Sequence, residues 1–386
     1  MKRAVVAGAG IFGVTAALEL RARGWDVTLV DPGPLPHPLA ESTDISKVIR
    51  ADYGKDALYT GLMERAFAGW HDWNAGPCAG LYHPTGVMFV CRRPMAEGGF
   101  EHDSFQMLSG RGHRLERLEG AELRARFPMF GPAYVDGYAN PLGGYAESGA
   151  VVTALVKLAA DRGVVVRERV EITGDVASNG RVTHVTTRGG DRIAADLVVY
   201  ALGAWVPHVL PTLAGAFRST GHPVLHLTPP DDTFREPTFR VFGADISETG
   251  LYGFPTHPKS GVLKAASHSR GRVVHPGDEI ARAMRPEEED EVRRPLREAF
   301  PALGDAPIVS TRICVYGDTH DGDLWVAPDP EVPTRVVATG GSGHAFKFAP
   351  LLGALIADAC EGSVEPRFRW RPEVTSARPA DAARHV

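Results

Sequence analysis

Gly8, Gly10 and Gly13 stand at the spacing G-x-G-x-x-G, and Asp31 follows at the end of an apolar run. Together these residues can hold a dinucleotide. Gly8 permits a tight turn, Gly10 lets backbone approach a pyrophosphate, and Gly13 lets a helix pack closely on a strand. The free N–H groups and positive end of that helix attract the diphosphate. A carboxylate at Asp31 accepts hydrogen bonds from the ribose hydroxyls and repels a 2′-phosphate, which favours FAD or NAD over NADP.

These residues need particular elements around them. Ala4-Val5-Val6-Ala7 suits a buried strand, residues 14–20 have helical apolar spacing, and Val27-Thr28-Leu29-Val30 is a second strand. The order is strand, glycine turn, helix, strand, acid, which is the dinucleotide-binding unit. By itself it leaves open an FAD enzyme, an NAD-dependent dehydrogenase and a non-catalytic nucleotide-binding module.

Two later segments repeat the strand-and-turn arrangement. Residues 196–200 run into Ala201-Leu202-Gly203-Ala204-Trp205. Residues 335–339 run into Gly340-Gly341-Ser342-Gly343-His344, with a helix expected over 346–361. In a doubly wound sheet such turns meet at one edge, where ligands bind. The expected fold is α/β, with a discontinuous Rossmann-like nucleotide domain built from 1–80, 141–215 and 320–372. Segments 81–140 and 216–319 are expected to form a second domain, a mainly antiparallel sheet covered by helices. Its strands fall at 238–242, 251–254 and 262–268, and its charged helix at 285–300 is kinked or interrupted at Pro295. Helices are also expected at 57–73, 100–108, 120–127 and 149–162, the last capped by Ser148. Strands are expected at 82–91, 164–169, 170–175 and 181–187, a loop at 140–145, and a loose tail at 373–386.

Composition narrows the partners. A net charge of -5 gives no reason to expect nucleic acid or an anionic membrane. The four cysteines, Cys78, Cys91, Cys314 and Cys360, are scattered without a C-x-x-C pair. That excludes a zinc ribbon, predicts no metal site and fits free thiols in a reducing cytoplasm. Residues 197–217 carry no Asp, Glu, Lys or Arg, but Gly203, Pro207 and Pro211 break them up, so a buried strand and turn is expected rather than a membrane span.

The chain resembles the D-amino acid oxidase superfamily of flavoenzymes, and most closely its monomeric sarcosine oxidase and N-methyltryptophan oxidase branch. The resemblance rests on the N-terminal motif, Arg50-Ala51-Asp52-Tyr53-Gly54, Ala201-Leu202-Gly203-Ala204-Trp205, Cys314-Val315-Tyr316 and Gly343-His344-Ala345-Phe346-Lys347-Phe348. It implies FAD bonded covalently through Cys314, where the residue alone reads as a buried structural cysteine. It implies that Arg50 and Lys347 clamp a substrate carboxylate, and that Lys264 activates O2 beside the flavin. His268 matches an active-site histidine, and Tyr252 and Tyr316 match pocket-lining aromatics. Cofactor contacts are implied at Gly8, Gly10, Ile11, Phe12, Gly13, Asp31, Ser42, Thr43, Ser46, Lys47, Gly341, Gly343, His344, Phe346 and Lys347.

Lys47 stands where sarcosine oxidases carry a second arginine, and Thr43 where they carry a histidine. The loop at 257–260 differs in length. These departures put sarcosine itself in doubt but leave amine oxidation standing. The implied activity is oxidation of a carboxylate-bearing amine with O2 reduced to H2O2, by a cytoplasmic monomer. A same-fold dehydrogenase using another acceptor and a specialised imino-acid oxidase remain alternatives.

Overall fold

The computed structural model describes residues 1–373. Apart from Glu373, the expected loose tail lies outside the described residues.

Alternation along the first strands sets up the nucleotide-binding part. In Arg3–Ala7, Ala4 and Val6 pack on one side of the sheet while Val5 and Ala7 pack on the other. Val27 and Leu29 join Ala4 and Val6, and Val30 joins the opposite side. This is the period-2 burial of a strand covered on both faces. The six-stranded sheet has the order Leu324–Pro328, Arg335–Gly340, Leu197–Tyr200, Arg3–Ala7, Asp26–Asp31, Val165–Glu168. Its neighbours are parallel, except that Leu324–Pro328 runs antiparallel to Arg335–Gly340.

Helices Ile11–Ala22, Ala57–Ala75, Ser148–Asp161 and Ala349–Cys360 cover one face, and the small sheet Ile172–Ser178, Arg181–Thr187, Arg192–Ala194 lies on the other. The strands Arg335–Gly340, Leu197–Tyr200 and Arg3–Ala7 are adjacent. Their three glycine turns therefore emerge side by side, as the sequence predicts. Residues 197–217 begin as a buried strand and continue as short helical turns. No helix among the described residues is long and apolar enough to cross a membrane.

Glycine 13 tests how tightly this corner is built. A Cβ placed there lies 1.7 Å from the carbonyl oxygen of Gly8. Gly13→Ala is expected to cost about 1–3 kcal/mol of overpacking strain. A lower urea midpoint at unchanged slope checks this.

The second sheet has nine strands. Its path runs Arg272–Val273, Phe217–Leu227, Leu263–Ser267, Leu251–Gly253, Val241–Ala244, Val87–Cys91, Asp136–Asn140, Glu116–Glu119, and Ile308–Thr319 also pairs with Phe217–Leu227. All pairs are antiparallel except Val241–Ala244 against Val87–Cys91. Val292 and Leu296 of helix Pro286–Ala299 are buried in its core.

Several expectations need correction. Of the two outcomes expected at Pro295, a kink or an interruption, the interruption does not occur: helix Pro286–Ala299 is continuous through it. Pro295 is buried on the packed side, where the sheet holds the turn that its missing N–H cannot. The two longest strands, Phe217–Leu227 and Ile308–Thr319, are not signalled by local pattern. Residues 219–227 of the first are buried throughout, so no alternation marks it, and Pro223 breaks the apolar run. The expected strand at 82–91 is split by Gly86, which turns with φ 74°. The expected loop at 140–145 ends in strand Gly144–Ala146, which pairs with Lys47–Ile49 and Tyr82–His83. Ser148 is the first residue of its helix rather than the cap, and its hydroxyl donates to the Asp44 carbonyl at 3.0 Å.

Candidate active site

The turns after the three adjacent parallel strands line one cavity of about 290 Å³. Gly8, with φ 96°, sits so close to the second turn that a Cβ there falls 2.3 Å from the Ala201 carbonyl oxygen. The Asp31 carboxylate accepts from the backbone N–H of Ala9 at 2.8 Å and of Gly33 at 3.0 Å. It thereby ties the glycine turn to the second strand. Burial pushes its carboxyl up, against those two bonds. Ser42 Oγ accepts from the Ile11 N–H at 3.0 Å, at the start of the first helix. Gly8, Gly10, Ile11, Phe12, Asp31, Ser42, Lys47, Gly343 and Phe346 line this cavity. A glycine cradle with no room for Cβ atoms, a helix N-terminus and a fixed carboxylate fit a dinucleotide.

A smaller cavity of about 50 Å³ adjoins it, and Lys47, Gly343 and Phe346 line both. Arg50, Lys347, Tyr252, Tyr316, His268 and His344 line only the smaller one. Arg50 and Lys347 lie 297 positions apart in the sequence, yet both meet on Tyr53. The Arg50 guanidinium lies 5.1 Å from the Tyr53 ring centroid and also faces the rings of Phe89 and Phe100. Arg50 Nη1 donates to the Asp52 carbonyl. Lys347 Nζ donates to the Tyr53 hydroxyl at 3.0 Å. Trp70 Nε1 of helix Ala57–Ala75 donates to the Lys347 carbonyl at 2.7 Å, fixing that turn. Both cations are buried, with exposures of 4% and 2%.

The rest of the wall comes from the second sheet. Tyr316 stacks on His222 at 3.9 Å and lies against Gly343, where a Cβ would fall 2.2 Å from its ring. Burial pushes the Tyr252 hydroxyl up to about 12, against the pull of Lys47. Val87, Met88, Phe89, Val241, Phe242 and Phe254 supply an apolar side.

Lys264, Thr43, Ser46, Cys314, Gly13 and Gly341 do not line either cavity. Gly13 acts through packing, and Gly341 turns with φ 79° against Leu324. Thr43 donates its hydroxyl to the His37 carbonyl at 2.8 Å. Cys314 is buried on Ile308–Thr319, and Lys47 Nζ donates to its Sγ at 3.5 Å. Lys264 lies behind Lys47. Its Nζ donates to the Ser46 carbonyl at 2.8 Å and to Asp44 Oδ2 at 2.5 Å.

Charge in this corner is tightly paired. Burial alone opposes the Asp44 charge, but Lys264, His226 and Lys47 outweigh it and hold the carboxyl well below its ordinary value. Burial likewise opposes the Lys47 charge, and Cys314 and Asp44 overcome it to raise that ammonium. Lys264 is lowered, because burial and the neighbouring Lys47 together exceed the help from Asp44.

Asp44 and Tyr53 contact the candidate residues Lys264 and Lys347 but were not among the site residues expected from the sequence. Two lysines expected beside one cofactor were the available signal, since buried cations need an anion. One group with metal-ligand chemistry, Cys91, Glu101 and Asp245, also comes together among the described residues, its ligand atoms within 4.8 Å of one another. Arg92 Nε already pairs with Asp245 at 2.6 Å.

Residues 3–359 match the family model DAO, FAD dependent oxidoreductase. L-saccharopine oxidase of Schizosaccharomyces pombe is 26% identical, with 96% of this chain and 93% of that protein covered. Monomeric sarcosine oxidase of Bacillus sp. is 26% identical over 94% of this chain and 93% of its own. N-methyl-L-tryptophan oxidase of Yersinia pestis is 27% identical over 92% and 93%. Among solved structures, a thermally stable mutant of fructosyl peptide oxidase superposes with a TM-score of 0.86 at 21% identity, covering 100% of this chain and 96% of that one. Fructosamine oxidase (Amadoriase II) of Aspergillus fumigatus superposes with a TM-score of 0.82 at 24% identity, covering 96% and 90%.

Proposed function

The chain belongs to the DAO family of FAD-dependent oxidoreductases, and on that premise we propose that it oxidises a carboxylate-bearing secondary amine, of the N-methyl or cyclic amino acid type, with O2 as electron acceptor. The observation that carries this reading is the shared rim of the two cavities, Lys47, Gly343 and Phe346. A dinucleotide lying along the larger cavity ends against a small chamber that holds two buried cations. When bound, FAD supplies the two-electron chemistry, accepting a hydride equivalent from a substrate carbon and passing both electrons to O2.

The chain's residues do the rest. Arg50 and Lys347 receive the carboxylate, and Arg can engage it through two parallel bonds. That anchors the substrate with its C–N bond toward the shared rim. Arg50, Lys347 and Lys47 also make the chamber hostile to an ammonium ion, so the amine binds neutral. No carboxylate among the described residues lines the chamber, and with a neutral amine no separate base is needed. The apolar side excludes water. His268, Tyr252 and Tyr316 bound the reacting end. The substrate loses a hydride from carbon and a proton from nitrogen, leaving an imine. O2 takes up two electrons and two protons as H2O2. Water then splits the imine into amine and aldehyde, or a ring substrate remains a cyclic imine. Lys264 supplies the positive charge that favours the first electron's arrival on O2.

Covalent attachment is part of the same reading. Cys314 Sγ sits 3.5 Å from Lys47 Nζ, and Lys47 lies on the shared rim. Cys314 would hold the FAD by a thioether to its 8α-carbon, a bond whose formation would release two protons and give two electrons to O2. Acid precipitation should leave the colour in the wild-type pellet and release it from Cys314→Ser. Colour freed from the wild type would contradict the attachment. The function itself is tested by peroxide formation across a panel of N-methyl, cyclic and sugar-derived amino acids and their esters. Acids should give peroxide and esters little. Equal rates for both would remove the carboxylate clamp.

A further inference from the structure

We infer that Asp44 is a positioning residue, the buried counter-ion that fixes the Lys264 ammonium beside the cofactor site and lets Lys47 and Lys264 coexist there. The inference rests on the O2-activating reading of Lys264 and deepens it.

The geometry is specific. Asp44 and Lys264 side chains are 2% and 1% exposed, and their charged atoms meet at 2.5 Å. The other carboxylate oxygen, Oδ1, accepts from the Ile45 N–H at 2.7 Å and lies 3.4 Å from His226 Nε2. His226 stands opposite Lys264 in the strand register. The Asp44 backbone is held as firmly, its carbonyl accepting from Ser148 Oγ and the Gly149 N–H, both at 3.0 Å. The carboxylate therefore joins the nucleotide-binding part to a strand of the second sheet.

The charged neighbours of both lysines converge on Asp44. Lys264 faces Asp44, Lys47 and Cys314, with the Phe254 ring 5.0 Å from its Nζ. Asp44 faces Lys264, His226, Lys47 and Arg312. Lys47 faces Cys314, Asp44, Tyr252 and Glu41. Asp44 is thus the carboxylate that both lysines share. Without Asp44, Glu41 still faces Lys47 but Lys264 loses the carboxylate it pairs with, so Lys264 is the one to lose its proton.

The test is the pH dependence of two readouts on the FAD-loaded protein: reoxidation by O2 after anaerobic reduction, and sulfite binding read as bleaching of the visible flavin band. Lysine loses charge as pH rises, so both should weaken above a midpoint. In Asp44→Asn that midpoint should fall by roughly one to three pH units, and Asp44→Glu should restore it most of the way. The midpoint is independent of the fraction of folded protein, so a simple loss of active material does not mimic the shift. An unmoved midpoint in Asp44→Asn overturns the inference. If Lys264→Met reoxidises like the wild type, the O2 reading of Lys264 fails instead. The sulfite midpoint in Asp44→Asn then still decides whether Asp44 governs the lysine charge.

Discussion

Arg50→Ala raises KM for a carboxylate-bearing amine by roughly 30- to 5,000-fold, the equivalent of losing about 2–5 kcal/mol from one partner of a buried charge pair. The guanidinium is buried among Tyr53, Phe89 and Phe100, so a carboxylate bound there would be stripped of water and would depend on it. Alanine leaves that carboxylate facing Lys347 alone. Arg50→Lys keeps the charge but loses the planar fork, and should recover only part of the affinity. The corresponding ester, which has no anion to anchor, should lose far less. Steady-state kinetics on the acid and ester separate this from a general disturbance of the chamber, which would weaken both alike.

The second large effect is on oxygen. Lys264→Met should slow reoxidation by O2 about 10²- to 10³-fold, the usual consequence of removing one preorganised electrostatic partner of a developing anion. Anaerobic reduction by the amine should change much less, because Arg50 and Lys347 lie in the chamber and Lys264 does not line it. Stopped-flow measurement of the two half-reactions distinguishes them. Equal slowing of both would make Lys264 a structural residue. Methionine also removes the closest cation from the Asp44 carboxylate, leaving the Ile45 N–H, His226 at 3.4 Å, Lys47 and Arg312 as its support. The double variant Lys264→Met with Asp44→Asn should therefore be more stable than Lys264→Met alone.

The nucleotide-binding corner is legible in the sequence because its physics is local. Glycines at 8, 10 and 13, a helix of small apolar residues and Asp31 all lie within one strand–helix–strand unit, and the structure builds them as expected. The three glycine turns could also be foreseen as neighbours, since a parallel sheet leaves few places for such strands.

The second sheet is less legible. Phe217–Leu227 and Ile308–Thr319 are stabilised by pairing with each other across the chain, and residues such as His222 and Pro223 hide the first of them from any period-2 pattern. Pro295 misleads in the opposite direction, because helix Pro286–Ala299 is held by the burial of Val292 and Leu296 rather than by its weakest hydrogen bond. In the candidate site, resemblance brought Arg50 and Lys347 together; Tyr53, the ring they share, lies in the Arg50–Gly54 motif but was given no role there. Asp44 stayed hidden because its partner Lys264 lies 220 positions away.

A neutral amine anchored through its carboxylate is expected to give up two electrons that O2 then receives. The most direct measurement is a single turnover of the yellow, FAD-loaded protein. Mixed without oxygen with an N-methyl or cyclic amino acid, the protein should lose its visible flavin band. Admitting O2 should restore the band with stoichiometric H2O2. A flavin that no carboxylate-bearing amine bleaches, or that stays bleached in oxygen until another acceptor is added, would contradict the account.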